Sequence, residues 1–415
     1  MRILIISNFY PPHYNGGYEL GCRDVVEALR ARGHDVHILT STYPAHTPSE
    51  QGPVLRWLET NYTWTTEQGA AYAARKVRQE VRCRRRLAAA VRRVRPDLIY
   101  VWGMCFIPLS LLFEAQATGL PVCYFIFDDW LKQFEIELFD GTNTPPPSGR
   151  RAVYQRGKQM LYALLRGRNT PLLNLRRVQF ATQYLKQAAL GVGRAVEDAE
   201  VILWGIDPAQ FPFRAPTDPP RPARRLLFVG QVMAHKGVHT AVQALAAVRA
   251  APAGHDVALT IVGTGKDPDY INSLHTQAEA LGVSEWVTFT GKVAREDLPE
   301  VYYAHDILLF PSVWAEPFGI TLLEAMASGL AVVGTGTGGS GELLRDEENA
   351  LLFAAEDASL CARQVLRLVE DPMLLEQIRA TGRAFVEQNY TFERTVDTIE
   401  CSLQRSLCGD AETKI

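Results

Sequence analysis

Pro311-Ser312-Val313-Trp314-Ala315-Glu316-Pro317-Phe318-Gly319-Ile320-Thr321-Leu322-Leu323-Glu324-Ala325-Met326-Ala327-Ser328-Gly329 decides how the rest of the chain is read. The apolar run 307–310 just before it has the length and composition of a buried strand. A loop holding Glu316 follows. From Gly319 the pattern turns helical, and Gly329 is the kind of residue at which helices stop. Strand, loop and helix in succession form the unit of a doubly wound α/β sheet. Glu324 then lies more than a turn inside the helix and Glu316 lies before it. Both can face the crevice outside the carboxyl end of the strands, where such sheets take ligands. The free amides of the helix start suit a diphosphate. Two carboxylates repel phosphate, but they accept hydrogen bonds from hydroxyl groups, which a nucleotide sugar offers at both ends. Read alone, the spacing fits equally well a helix whose two acids are only structural.

The same plan recurs twice outward from this segment. Residues 2–7 read as a strand, 8–17 as a loop, and Leu20, Val25, Val26 and Leu29 mark a helix that stops at Gly33, before a strand over 34–40. Residues 225–230 read as a strand, 231–236 as a loop, 237–249 as a helix and 259–263 as the next strand. A chain of 415 residues fits two domains of ordinary size. The proline-rich stretch around Pro212, Pro216, Pro219, Pro220 and Pro222 marks the linker. The expected organisation is an N-terminal domain over 1–203, a linker over 204–224, a C-terminal domain over 225–385, and a last segment, 386–415, with a helical pattern over 392–407.

Composition narrows the class. Hydrophobic residues are 47% and charged residues 21%, with a formal net charge of −3, which is ordinary globular usage and not that of a polyanion binder. The seven cysteines show no CxxC spacing, which argues against a disulfide framework or zinc site and suits a reducing cytosol. The N-terminal apolar run reads as a strand rather than a signal peptide, and no apolar run reaches the roughly 20 residues of a spanning helix. A cytoplasmic enzyme is the expectation.

Residues 311–329 resemble the E-x7-E signature of retaining glycosyltransferases of the GT-B fold, above all family 4. Other motifs of that family occur in its order. Asn8-Phe9-Tyr10-Pro11-Pro12 with Gly16-Gly17-Tyr18-Glu19 is similar to its first-loop GGxE. Trp204-Gly205-Ile206-Asp207 is similar to its NGID. Gly230-Gln231 through Lys236-Gly237 is similar to its phosphate loop. Val262-Gly263-Thr264-Gly265, Thr290-Gly291-Lys292-Val293 and Gly338-Gly339-Ser340-Gly341-Glu342 also match. Together with the opening segment these are seven motifs in order. The implied fold is GT-B: two Rossmann-like parallel-sheet domains with the donor cleft between them. Domain closure over the donor is the implied motion, and the last helix would cross back to the first domain.

The resemblance also implies roles. Lys236 would pair with the donor diphosphate. Glu316 would hold a hydroxyl of the transferred sugar, and Glu324 the ribose hydroxyls. Backbone at Phe318, Gly319, Ile320 and Leu322 would meet sugar and phosphate. Lys292 and Val293 would hold the base, with uracil commonest, and Gly263 would lie in the same site. Gly16 and Gly17 would let backbone approach the phosphates. Two positions depart from the pattern. Gln231 stands where an arginine is usual, which removes one cation. Asp128, in Asp128-Asp129-Trp130, stands where a histidine is usual. Asp128 could orient an acceptor hydroxyl or stabilise positive charge on the sugar; it could also simply cap the next helix. In retaining members the leaving phosphate takes the acceptor's proton, so no protein base, metal or cofactor is implied.

The acceptor stays open. Arg82, Arg84, Arg85, Arg86, Arg92, Arg93 and Arg95 share one helical stretch. Residues 141–180 carry eight basic residues and no acid, interleaved with leucines such as Leu161, Leu164 and Leu172. Such a segment suits an anionic membrane face or a phosphorylated or lipid-linked acceptor. It is not interleaved with a stacking platform, so nucleic acid is not expected. A lipid-linked glycan, a sugar phosphate (as in sucrose-phosphate synthases) and a small metabolite remain as acceptors. A nucleotide-sugar epimerase or phosphorylase of the same fold, or a non-catalytic sugar-nucleotide-binding protein, are the rival readings.

Overall fold

The computed structural model describes residues 1–62, 70–133, 173–213 and 222–408. The chain forms two compact units, Met1–Ile202 with Val396–Ile415, and Leu203–Thr395.

The first unit is built on eight strands: β1 (Arg2–Ile6), β2 (Asp35–Ser41), β3 (Ser49–Gln51), β4 (Val54–Leu58), β5 (Leu98–Val101), β6 (Val122–Ile126), β7 (Val178–Phe180) and β8 (Glu200–Val201). Their order in the sheet is β3-β4-β2-β1-β5-β6-β7-β8. Every pairing is parallel except β3 with β4 at the edge. Parallel strands covered on both faces read as unbroken apolar runs, and all four residues of β5 are fully buried. The helix Gly17–Ala31 covers the sheet with Cys22, Val25, Val26 and Leu29, an i, i+3, i+4, i+7 stripe with no exposure. The helix Phe392–Cys408 enters this unit at Val396 and buries Val396, Ile399 and Leu403. Arg32 pairs with Asp397 at 2.6 Å and with Glu400 at 2.7 Å.

The second unit has β9 (Arg225–Val229), β10 (Ala258–Val262), β11 (Val287–Gly291), β12 (Ile307–Phe310), β13 (Ala331–Gly334) and β14 (Leu351–Leu352), ordered β11-β10-β9-β12-β13-β14. All are parallel. Alternate residues divide between the faces. Leu226, Phe228, Ile261, Leu309 and Val333 join the core that takes Val242 and Leu245 from the helix Val238–Ala250 and Val365 and Leu368 from the helix Ala358–Glu370. Leu227, Leu308 and Val332 are buried on the other side.

Strand order reverses once in each sheet, between β1 and β5 and between β9 and β12. Loops leaving these pairs diverge to opposite faces, and the crevice so opened is the usual ligand site. Two sequence readings fall partly outside the described residues: the basic, leucine-rich stretch up to residue 172, and residues 214–221 of the linker. Among the described residues no helix is long and apolar enough to cross a membrane.

Candidate active site

The loops after β9 and β12 run against each other at the switch of the second sheet. Val313 N–H donates to the His235 carbonyl at 2.9 Å. Gly237 has φ +69°, and a Cβ there would overlap the Pro311 carbonyl oxygen, so the approach admits only glycine. This contact brings Lys236 onto Glu316. The ammonium donates to both carboxylate oxygens, at 2.7 and 2.8 Å. Ser312 Oγ donates to Glu316 Oε1 at 2.6 Å. The Glu316 side chain is 6% exposed and that of Lys236 is 24% exposed, so one face of the pair remains open to a ligand. Behind Glu316, its carbonyl accepts from Gly339 N–H at 2.5 Å, which joins the glycine-rich loop after β13, holding Gly338, Gly339 and Gly341, to the site. Lys236 Nζ also lies 5.5 Å from the centre of the Trp314 ring, whose edge packs on His235. Burial, then the neighbouring ammonium, holds the His235 imidazole below its ordinary pKa.

Glu324 is placed differently. It is buried, and its Oε2 accepts the Tyr302 hydroxyl at 2.8 Å. Burial raises its pKa, against the Tyr302 hydrogen bond and the charge of Arg295. The helix holding it runs Ile320–Ala327, with Gly319 before it and Gly329 beyond it at φ +75°. Phe318 is buried. Leu322, counted among the donor-binding residues from sequence, has its N–H engaged by the Gly319 carbonyl at 3.0 Å and its side chain in the core. Its amide is therefore part of the helix start.

Gly263 also has a packing role. A Cβ there would overlap the Gly230 carbonyl, and its N–H donates to Gly291 at 2.9 Å, so it locks the loops of β9, β10 and β11 together. Lys292 is exposed and Val293 half-buried just after β11, and Gln231 is exposed just after β9.

In the first unit, Gly16 precedes the helix Gly17–Ala31 in an extended conformation that any residue adopts, and no heavy atom lies within 4 Å of where its Cβ would be. The fold itself makes no demand for glycine there. Gly16 N–H donates to Glu19 Oε2 at 3.0 Å, and Glu19 is buried with a raised pKa. Asp128 follows β6. Its Oδ1 accepts Trp130 N–H at 3.0 Å, which is the capping role, while its Oδ2 accepts the Cys105 thiol at 3.6 Å. The residue is half-buried, and burial of its carboxyl pushes the pKa up to about 6.

Sequence reasoning left three partners unassigned. Ser312 stands inside the decisive segment, four residues before Glu316. Tyr302 and Cys105 lie 22 and 23 residues from Glu324 and Asp128, with no local signal.

Residues 211–385 match the family described as Glycosyl transferases group 1, and residues 15–210 match Glycosyltransferase Family 4. The chain is 26% identical over 414 residues to the glycogen synthase of Mycobacterium tuberculosis, covering 95% of this chain and 92% of the relative. Its fold is similar to sucrose-phosphate synthase from Thermosynechococcus elongatus, with a TM-score of 0.70 at 20% identity over 98% of this chain and 99% of that one. It is similar also to Anabaena HepE, crystallised with UDP and glucose, with a TM-score of 0.68 at 22% identity over 97% and 99%. The two Rossmann-like parallel sheets are those of the GT-B fold, and with the family matches they make the chain an enzyme of the GT-B glycosyltransferase class. The chain belongs to glycosyltransferase family 4.

Proposed function

We propose that this glycosyltransferase is a retaining hexosyltransferase that moves a hexose from a nucleoside-diphosphate sugar, a UDP-sugar, to an acceptor hydroxyl. The observation that carries the reading is the Lys236–Glu316 pair at the switch between β9 and β12. Within the pair the two charges neutralise each other. A diphosphate drawing on Lys236 releases the Glu316 oxygens to accept from the hydroxyls of the sugar. Lys236 then opposes the charge that builds on the leaving diphosphate, as a preorganised donor does. Glu324, steadied by Tyr302, takes the ribose hydroxyls, and the amides at Phe318, Gly319 and Ile320 meet sugar and phosphate. Gly16 and Gly17 admit the donor closely, and Asp128 orients the acceptor hydroxyl or balances charge on the sugar ring. Leaving group and acceptor share one face of the sugar, and the phosphate oxygen takes the proton, so the work of the protein is orientation and charge stabilisation.

Support for uracil comes from HepE, which was crystallised with UDP. A lipid-linked glycan on the cytoplasmic membrane face and a sugar phosphate are the acceptor classes proposed. The reading requires no metal. Incubation with a panel of UDP-, GDP- and ADP-hexoses, with NMR of the anomeric configuration of the released or transferred sugar, tests it. Retention with a UDP-hexose is expected. Inversion, or interconversion of the donor without transfer, would overturn it in favour of other chemistry. Absence of any product with every donor would point to a binding protein.

A further inference from the structure

We infer that Cys105 is a positioning residue for Asp128: its thiol fixes the orientation of that carboxylate at the carboxyl edge of the first sheet. The inference rests on the proposed role of Asp128 in the reaction.

Strands β5 and β6 are adjacent and parallel, with Val101 opposite Tyr124. The loops leaving their carboxyl ends therefore start side by side. Cys105 lies four residues beyond β5 and Asp128 two beyond β6. The result is a hydrogen bond of 3.6 Å from Cys105 Sγ to Asp128 Oδ2, within sulfur range. The other oxygen, Oδ1, accepts Trp130 N–H at 3.0 Å. One donor on each oxygen fixes the carboxylate plane about both ends, and each oxygen keeps a lone pair for a ligand. Both residues are half-buried, so the pair is anchored yet reachable.

The surroundings make the thiol matter. The groups that act on Asp128 among the described residues are the Trp130 amide, Cys105, Tyr18 and Glu19 from the helix Gly17–Ala31, and Asp129 beside it. Glu19 and Asp129 are acids that oppose its ionisation, and burial opposes it further. Among the described residues, the Trp130 amide and the Cys105 thiol favour the carboxylate form. Burial and the adjacent carboxylate hold the thiol itself protonated, so it acts as a donor and not as a nucleophile. A histidine, as the family pattern has at this position, brings its own N–H; a carboxylate needs donors from outside, and Cys105 is one.

The test follows the titration of Asp128 in the full-length protein, by 13C NMR of labelled aspartate carboxyls assigned with Asp128→Asn, alongside the pH profile of kcat/KM for the productive UDP-hexose. Cys105→Ala removes a donor to the carboxylate, so the Asp128 midpoint and the acid limb of the profile both move up by about one pH unit. Cys105→Ser keeps a donor, and both stay near wild type. Cys105→Val, close in volume and without a donor, repeats the measurement should the alanine variant fold poorly. An unmoved midpoint in Cys105→Ala and Cys105→Val overturns the inference. Wild-type turnover in Asp128→Asn would instead remove Asp128 from the reaction, whatever Cys105 does to its titration.

Discussion

Lys236 and Glu316 stand 80 residues apart, yet the ammonium makes two charge-assisted hydrogen bonds to one carboxylate. The sequence assigns each of them to the ligand; the structure adds that each is the partner of the other. A variant at either position therefore has two effects, on the reaction and on the fold. Lys236→Ala is expected to lower kcat/KM by about 2–4 kcal/mol, roughly 30- to 1,000-fold, the scale of losing one preorganised donor. It also leaves Glu316 buried with Ser312 as its one remaining side-chain donor among the described residues, which costs about 3 kcal/mol or more of stability. The double variant Lys236→Met, Glu316→Gln separates the two. Chemical denaturation should show most of the stability restored, while steady-state kinetics show the activity still lost. A double variant as active as wild type would rule the pair out of the reaction.

At the scale of elements, the site depends on how the loops after parallel strands pack. Two glycines make the contrast. Gly237, left-handed and pressed on the Pro311 carbonyl, is required by the meeting of the β9 and β12 loops. Gly16 is extended, and open space stands where its side chain would be. Gly237→Ala is expected to destabilise the protein by about 2 kcal/mol or more, since both the backbone conformation and the overlap oppose it. Gly16→Ala is expected to fold within about 0.5 kcal/mol of wild type and to bind donor less tightly, read by denaturation and by the KM for donor. Full donor affinity in Gly16→Ala would remove this helix start from the site.

At the scale of the molecule, each unit has its own sheet and core, and the chain passes from one unit to the other at Ile202 and back at Thr395. A ligand held by native residues alone stabilises by mass action, about 2.7 kcal/mol at a hundredfold excess over Kd. UDP should therefore raise the midpoint of thermal unfolding, GDP should do so less, and the Lys236→Ala variant should respond to neither. No shift with any nucleoside diphosphate would contradict the proposed donor class.

The two sheets were legible in the sequence because buried parallel strands are local signals. The runs before Gly230 and Pro311, and the helix stop at Gly329, were read without knowing what packs against them. Strand ends moved by a residue or two: the expected strand 259–263 is Ala258–Val262. The two-residue strands β8 and β14 carried too little pattern to read.

Residue identity and order also marked Glu316, Glu324 and Lys236 as candidates, through motif spacing. Their partners were another matter. The pairs Lys236–Glu316, Tyr302–Glu324 and Cys105–Asp128 join side chains from different elements. Periodicity along the chain reports which face of an element is buried, because that depends on neighbours three or four residues away. Which loops meet depends on strand order, and strand order is set by the packing of the whole sheet, so only the tertiary structure decided these contacts.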